Sequence, residues 1–397
     1  MDAMEYIRQE FPHISFRKDW NISSDTAYRL GECHAIVKSL AYLPVDKNMN
    51  RQLLNVSLIK GAAATTAIEG NTLSEQEVKG ILEGRSDVPP SRKYQETEVR
   101  NVIDALNGIF EEVVTRDHVS NITPEFICNF NRQIGKDLGE MYDGVPGRLR
   151  ERGVQVGRYH APNYEYVREL LARMCDWLAT EFHFDPKREP EFRDAVVEAV
   201  AAHLYLVWIH PFNDGNGRTA RLLEFYILLR TGLPKICSHI LSNFYNQTRD
   251  MYYKKIEEAT ARRDFTGFLE YAVQGFLDGL ESVLWQVQMA QLRNAWKVHT
   301  RDTLSTKRLL DSRKQRLQTV LDFFSVGTKY VPKDLTDKSP EIAATYARLS
   351  STALMRDIDD LEAFGLLMKT EGGGYEADIR ELVMQLPAKR RTPQEQN

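Results

Sequence analysis

The stretch His210–Pro211–Phe212–Asn213–Asp214–Gly215–Asn216–Gly217–Arg218–Thr219–Ala220–Arg221 decides how this chain is read. It lies between two apolar segments, Ala201–Ile209 and Leu222–Leu229, and so reads as a loop joining two buried helices. Pro211 disfavours helical geometry at the residue before it, which helps end the first helix at His210. Gly215 and Gly217 are expected to supply the positive φ angles that turn successive backbone N–H groups toward one point. That is an anion nest at a helix N-terminus. Arg218 and Arg221 stand one helical turn apart, so both guanidinium groups can reach the same polyanion. Asp214 offers one carboxylate, which suits Mg²⁺ held mainly by phosphate oxygens and water. His210 can take a proton near neutral pH. Alone, a helix-end His is usually structural and a Gly-x-Gly is usually a turn. Together, within one short loop, they make a phosphotransfer site without the Walker lysine.

Working outward, Val154–Gln155–Val156–Gly157 alternates after Gly153 and predicts a short strand or hairpin. The remainder reads as helix. Val99, Val102, Ile103, Leu106, Ile109, Phe110 and Val113 recur at helical spacing, as do Val167, Leu170, Leu171, Met174 and Leu178. A longer pattern runs from Phe268 to Val287. Breaks at Gly84–Ser91 and in the polar, basic stretch Arg301–Arg316 predict three parts. These are an N-terminal helical region (1–90), a catalytic core (91–300) and a C-terminal domain (301–397). The fold class is all-α with a small β flap.

The loop resembles the H-P-F-x-[DE]-G-N-G-R-x-x-R signature of the Fic family and matches it at every specified position. Gly147–Arg148–Leu149–Arg150 and Val154–Gly157 resemble the start of the Fic core and its target-positioning flap. Asn246–Tyr253, with Tyr252 and Tyr253, resembles the region that closes over the nucleotide base. The resemblance covers roughly residues 95–285. It implies transfer of AMP from ATP to a Ser, Thr or Tyr hydroxyl of a target protein, with release of pyrophosphate. In that scheme His210 is the base and Asp214 holds Mg²⁺ at the phosphates. Gly215, Asn216 and Gly217 bind phosphate through backbone N–H groups, and Arg218 and Arg221 steady the outer phosphates. Val154, Gln155, Val156 and Gly157 pair with an extended target segment. His203, one heptad before His210, reads as core.

A second motif lies upstream, at Thr65–Thr66–Ala67–Ile68–Glu69–Gly70–Asn71. Gly70 and Asn71 are C-cap residues, and Ser74–Glu75–Gln76–Glu77 is a capping-box pattern that starts a new helix. Glu69 therefore sits at the negative end of a helix dipole, locally unfavourable by roughly 0.3–1 kcal/mol unless a cation meets it. The stretch resembles the [ST]-x-x-x-E-[GN] inhibitory helix of Fic proteins, with Thr65 and Glu69 at its defining positions. The resemblance implies that Glu69 pairs with Arg221 and denies the γ-phosphate its clamp.

Composition bounds the alternatives. Lys+Arg total 52 and Asp+Glu 56, a net −4, which argues against a chain-wide coat for nucleic acid or membrane. No run approaches the roughly 18 uncharged apolar residues of a span, and MDAMEYIRQEFPH carries acids where a secretory leader carries cations. Cys33, Cys128, Cys175 and Cys237 lie far apart with no C-x-x-C pair. The expectation is a soluble protein of a reducing compartment, the cytoplasm. At the C-terminus two helical stretches precede Leu366–Met368 and Tyr375 around Gly372–Gly374, an order that resembles a winged helix-turn-helix. Its would-be recognition stretch Ser351–Glu362 holds Arg356 against Asp357, Asp359, Asp360 and Glu362, a net −3. Residues 301–397 hold 16 basic and 15 acidic residues, a net +1. DNA binding normally needs several phosphate-neutralising cations, so protein docking or homodimerisation is favoured over DNA. The partners expected are ATP and a target protein, the chain itself among the candidates. Two other readings stand beside adenylylation: removal of AMP from a modified protein, and a DNA-binding regulator whose core senses nucleotide.

Overall fold

The structure is a computed structural model that describes residues 2–18, 20–43, 47–185, 191–237, 239–350 and 352–383. It is mostly helical, as expected. Before the flap stand α1 (Ala3–Glu10), α2 (Ser24–Tyr42), α3 (Lys47–Ala67), α4 (Glu75–Leu82), α5 (Lys93–Phe110) and α6 (Pro124–Ile134). The flap follows, with β1 (Gln155–Val156) and β2 (Tyr159–His160), then α7 (Tyr164–Phe182), α8 (Phe192–Ile209) and α9 (Asn216–Arg230). Next come α10 (Ile240–Gln247), α11 (Arg249–Arg262) and α12 (Thr266–Thr306). The chain continues through α13 (Asp311–Phe323), α14 (Pro332–Lys338), α15 (Pro340–Tyr346) and α16 (Ala353–Ala363) to β3 (Leu367–Lys369) and β4 (Tyr375–Ala377).

Chain contacts divide the molecule at Leu284/Trp285, inside α12, into two compact units. This differs from the expected boundaries. The N-terminal helices belong to the first unit because α3 packs on α5, α9 and α10. The change of partner along α12 sets the second boundary. Phe276 and Leu280 are fully buried in the first unit, whereas Trp296 and Leu304 join the second unit's core with Leu317, Val320 and Ile358.

At the centre of the first unit lie α8 and α9, packed directly on each other and buried on nearly every face. Helices apolar all round are the core helices of a larger bundle. α7 covers α8 and α6 covers α9. The capping box at α4 forms as expected: Glu77 N donates to Ser74 Oγ, and Ser74 N donates to Glu77 Oε2 at 2.8 Å. It fixes the chain just after Glu69. The flap pairs antiparallel, Gln155 with His160 and Val156 with Tyr159, so the predicted strand is the two-residue β1 with Val154 and Gly157 flanking it.

The second unit has helices α13–α16 and the antiparallel pair β3–β4, with Leu367 opposite Ala377. Its buried centre is Asp357 on α16, which accepts from Arg316 Nε at 2.6 Å, the Tyr346 hydroxyl at 2.8 Å and Arg313 at 3.4 Å. Arg313 also pairs with Asp360. Ser351 of the acidic stretch lies outside the described residues. Among the described residues no helix is long and apolar enough to cross a membrane.

Candidate active site

His210 closes α8 in the left-handed region, at φ 51° and ψ 59°. A non-glycine residue there costs on the order of 1–3 kcal/mol and persists only where its surroundings over-determine it. The surroundings are visible. The His210 amide donates to Leu206 O at 2.9 Å, and Arg150 Nε donates to the His210 carbonyl at 2.8 Å. Ring Nδ1 lies 3.2 Å from Val207 O, so Nδ1 carries the proton and Nε2 keeps its lone pair. Burial holds the imidazole well below its usual value, at about 4. The Val207 hydrogen bond, Glu69 and Asp214 push it up, and Arg150 pushes it down. His210 is therefore a neutral imidazole at pH 7.

The loop after His210 is closed by its own side chains. Asn216 Oδ1 accepts from Phe212 N at 2.9 Å and Asn216 Nδ2 donates to Phe212 O at 2.8 Å. From below, Asn131 Nδ2 donates to Asp214 O at 3.0 Å, and the Tyr142 hydroxyl lies 2.8 Å from the same oxygen. Gly215 has φ 77° and caps α9, as the anion-nest reading requires. Gly217 does not adopt positive φ. It sits in the first turn of α9, and its need is for space: an added Cβ would lie 2.2 Å from Glu69 Oε1.

Glu69 thus lies against the N-terminal turn of α9. Arg221 holds it there. Arg221 Nη2 donates to Glu69 Oε1 at 2.7 Å and to Thr65 O at 2.8 Å, and Nε donates to Thr65 Oγ1 at 2.6 Å. Burial pushes the Glu69 carboxyl up. The Arg221 charge and hydrogen bond outweigh it, with Arg218 and His210 adding, and leave Glu69 below the usual carboxylate range. Arg221 Nη1 and Arg218 Nε are buried donors with no hydrogen-bond partner among the described residues. The pairing of Glu69 with Arg221 expected from the upstream motif is present, and the bonds to Thr65 add to it.

Arg218 is pinned between two carboxylates, Asp214 at 2.8 Å and Glu98. Glu98 stands in no motif of the sequence. It also accepts from Asn71 Nδ2 at 2.8 Å, so one partly buried carboxylate ties the turn carrying Glu69 to the arginine of α9. Burial raises Glu98 above the usual range against the pull of Arg218. On Asp214, Oδ1 is taken by Arg218 and Gly215 N, while Oδ2 has no hydrogen bond among the described residues. A hard oxygen with a free lone pair fits Mg²⁺ completed by phosphate and water. Among the described residues no cluster of three His, Cys, Asp or Glu offers a cage that would hold a metal without phosphate.

The two tyrosines separate. Tyr252 is buried, stacked on Tyr245 with ring centroids 4.8 Å apart, and its hydroxyl lies 2.9 Å from His203 Nε2. It belongs to the core beneath Arg221, as does His203. Tyr253 is 40% exposed and its hydroxyl donates to Ile68 O at 3.3 Å, which leaves it the better placed of the two to face a base. The flap is tethered to α8, the helix that ends at His210, since the Tyr159 hydroxyl donates to Trp208 O at 2.8 Å.

The buried histidines make stability acid-sensitive. Burial takes His210 and His13 to about 4 and His239 to about 3, against an ordinary 6.5. Between those values the unfolded chain binds more protons, so stability rises with pH through this window. It is complete above pH 6.5 and is lost as pH falls toward 4. Thermal unfolding at pH 7 and pH 4.5 should show a lower midpoint in acid, by at least roughly 2–4 °C. His239→Phe, at a ring stacked 4.7 Å from Phe225, should flatten part of that slope. An identical slope in the variant would show that His239 plays no part in it.

Residues 121–228 match the Fic/DOC family. The chain is 33% identical over 210 residues to the protein adenylyltransferase fic-1 of Caenorhabditis briggsae and 30% identical to the protein adenylyltransferase Fic of Nematostella vectensis. The aligned part is 53% of this chain in both cases, and 38% and 45% of those proteins. The chain therefore spans less than half the length of these relatives. Among solved structures, Fic-1 (residues 134–508) of Caenorhabditis elegans superposes with TM-score 0.54 at 26% identity, covering 68% of this chain and 74% of that one. A Fic family protein from Desulfovibrio desulfuricans G20 gives 0.56 at 18% identity, covering 94% and 99%, a likeness of fold alone.

Proposed function

From the premise that this chain carries a Fic domain, we propose that it is an autoinhibited protein adenylyltransferase. It moves AMP from Mg·ATP to a Ser, Thr or Tyr hydroxyl of a protein and releases pyrophosphate. The observation that carries the reading is the Glu69 carboxylate on the first turn of α9, held by Arg221 at 2.7 Å: an anion site filled by an internal anion. The γ-phosphate of ATP would compete for that arginine. His210 Nε2 takes the hydroxyl proton as oxygen attacks the α-phosphorus, and the α–β bridging bond breaks toward pyrophosphate. Gly215–Gly217 N–H groups, Arg218 and Arg221 receive the phosphates, and Asp214 Oδ2 would ligate the Mg²⁺ that neutralises them. Val154–Gly157 lends an exposed edge to an extended target segment, by strand addition.

Removal of AMP is the alternative reaction, favoured by one feature: Glu69 stands beside the cradle where a water could be polarised. Incubation with ATP labelled at the α-phosphate tests the two directions. Label appearing on protein supports addition, loss of label from pre-modified protein supports removal, and neither would overturn the reading. For the second unit, protein docking is supported over DNA because Arg313 and Arg316 are engaged by Asp357 and Asp360. The location proposed is the cytoplasm.

A further inference from the structure

Arg150 lies outside the signature loop, yet it is 2% exposed beside the His210 backbone and forms no ion pair among the described residues. Its hydrogen bonds all go to main-chain carbonyls. Nε donates to His210 O at 2.8 Å and Nη1 to Arg152 O at 2.9 Å, while Nη2 donates to Pro162 O. Its backbone N–H donates to Pro211 O at 3.0 Å. The first and last of these meet the first two carbonyls after α8, where the chain leaves helical geometry at His210. The other two meet the residues that bracket the flap, since Arg152 precedes β1 and Pro162 follows β2.

We propose that Arg150 is a positioning residue that locks the base loop and both feet of the flap into one register, so that a hydroxyl held by the flap arrives at Nε2 of His210. A planar fork reaching three carbonyls in different directions is something guanidinium provides and a lysine ammonium does not. The buried charge is tolerated because the three carbonyl dipoles point at it, although burial still lowers Arg150 to about 10. Its charge also helps keep the imidazole of His210 neutral, against the opposite pull of Glu69 and Asp214. This inference rests on the adenylyltransferase reading for its effect on rate, but not for its effect on the flap.

The experiment compares Arg150→Lys and Arg150→Met in a Glu69→Gly background. Three readouts are taken: self-labelling from α-labelled ATP, ATP affinity by equilibrium binding, and hydrogen exchange of peptides spanning residues 150–163. Both variants should lose about 10²-fold in labelling rate, the scale of a 1 Å misplacement of reacting groups. ATP affinity should stay within about twofold, because the phosphate contacts lie on α9. Exchange should rise in the 150–163 peptides and not in α8 or α9. Full labelling by Arg150→Lys would mean that a charge suffices and would overturn the clamp, as would unchanged flap exchange in Arg150→Met. If the Glu69→Gly parent itself labels nothing, this chain is not its own target, and flap exchange alone still decides the role of Arg150.

Discussion

Replacing Glu69 by glycine is expected to raise transfer of AMP to protein at least about tenfold, a change that needs only ~1.4 kcal/mol of relief at the anion site. Glu69 and the γ-phosphate are both anions, and Arg221 Nη2 reaches Glu69 at 2.7 Å on the turn where the nest opens. Removing the partner of a buried guanidinium ordinarily leaves that charge uncompensated and destabilises the fold, and Arg221 is buried although Glu69 is partly open to solvent. Here the guanidinium keeps Thr65 at Nε and Nη2, and ATP can supply the missing anion. The variant should therefore melt lower than the unsubstituted chain without nucleotide and gain more from added ATP. Arg221→Ala should not share the rise in transfer, since the outer phosphate then lacks its clamp whether or not Glu69 is present. If removal of AMP is the dominant reaction, Glu69→Gly should abolish it. The measurement is a time course of label on protein together with a thermal scan with and without Mg·ATP. Flat, equal traces for Glu69→Gly and the unsubstituted chain would reduce Glu69 to a helix-end glutamate.

That pairing is legible in the sequence because both of its members sit in short patterns of strict spacing. Backbone geometry translates such patterns directly: a positive φ at Gly215, a C-cap at Gly70, and two arginines one turn apart on α9. Gly217 shows the limit even there. Its spacing is legible, but the reason for glycine is the approach of Glu69, a residue 148 positions upstream by numbering, 217 − 69. What sequence does not announce are the braces. Glu98 lies on α5 as one polar residue beside Val99 and Val102, and its contact with Arg218 spans 120 residues. Asn131 and Tyr142 hold the Asp214 carbonyl across 83 and 72 residues. No local period encodes such a contact, because each residue reads as an ordinary exposed polar side chain until the helices pack.

The tyrosine pair and the domain boundary depart from the expected reading for a related reason. Tyr252 and Tyr253 are neighbours with one chemistry, but a helix turns roughly 100° per residue, so one of them faces the core and the other does not. Burial of Tyr252 against Tyr245 and His203 decides which. Along α12 the sequence carries no proline, and the polar stretch after Arg301 is the visible break. The actual division follows a change of packing partner between Leu280 and Trp296, within a continuous helix.

His210→Ala should lower transfer by roughly 10²–10⁴-fold, the usual worth of a positioned general base. The geometry makes this a claim about one nitrogen. Nδ1 is committed to Val207 O, so only Nε2 is available to the reacting hydroxyl. A base held at about 4 stays unprotonated at pH 7, so the loss should be as large at pH 6 as at pH 8, and no recovery should come from raising the pH. ATP should still bind, because Arg218, Arg221 and the N–H groups of Gly215–Gly217 meet the phosphates without help from the imidazole. The decisive protein is the double variant Glu69→Gly/His210→Ala, in which the anion site is open and the base is gone. It should keep the Mg·ATP-induced rise in melting temperature of Glu69→Gly while its label trace stays flat. Near-normal labelling of the double variant would remove His210 from the chemistry. Loss of the nucleotide-induced rise together with labelling would instead assign His210 to holding the loop rather than to moving the proton.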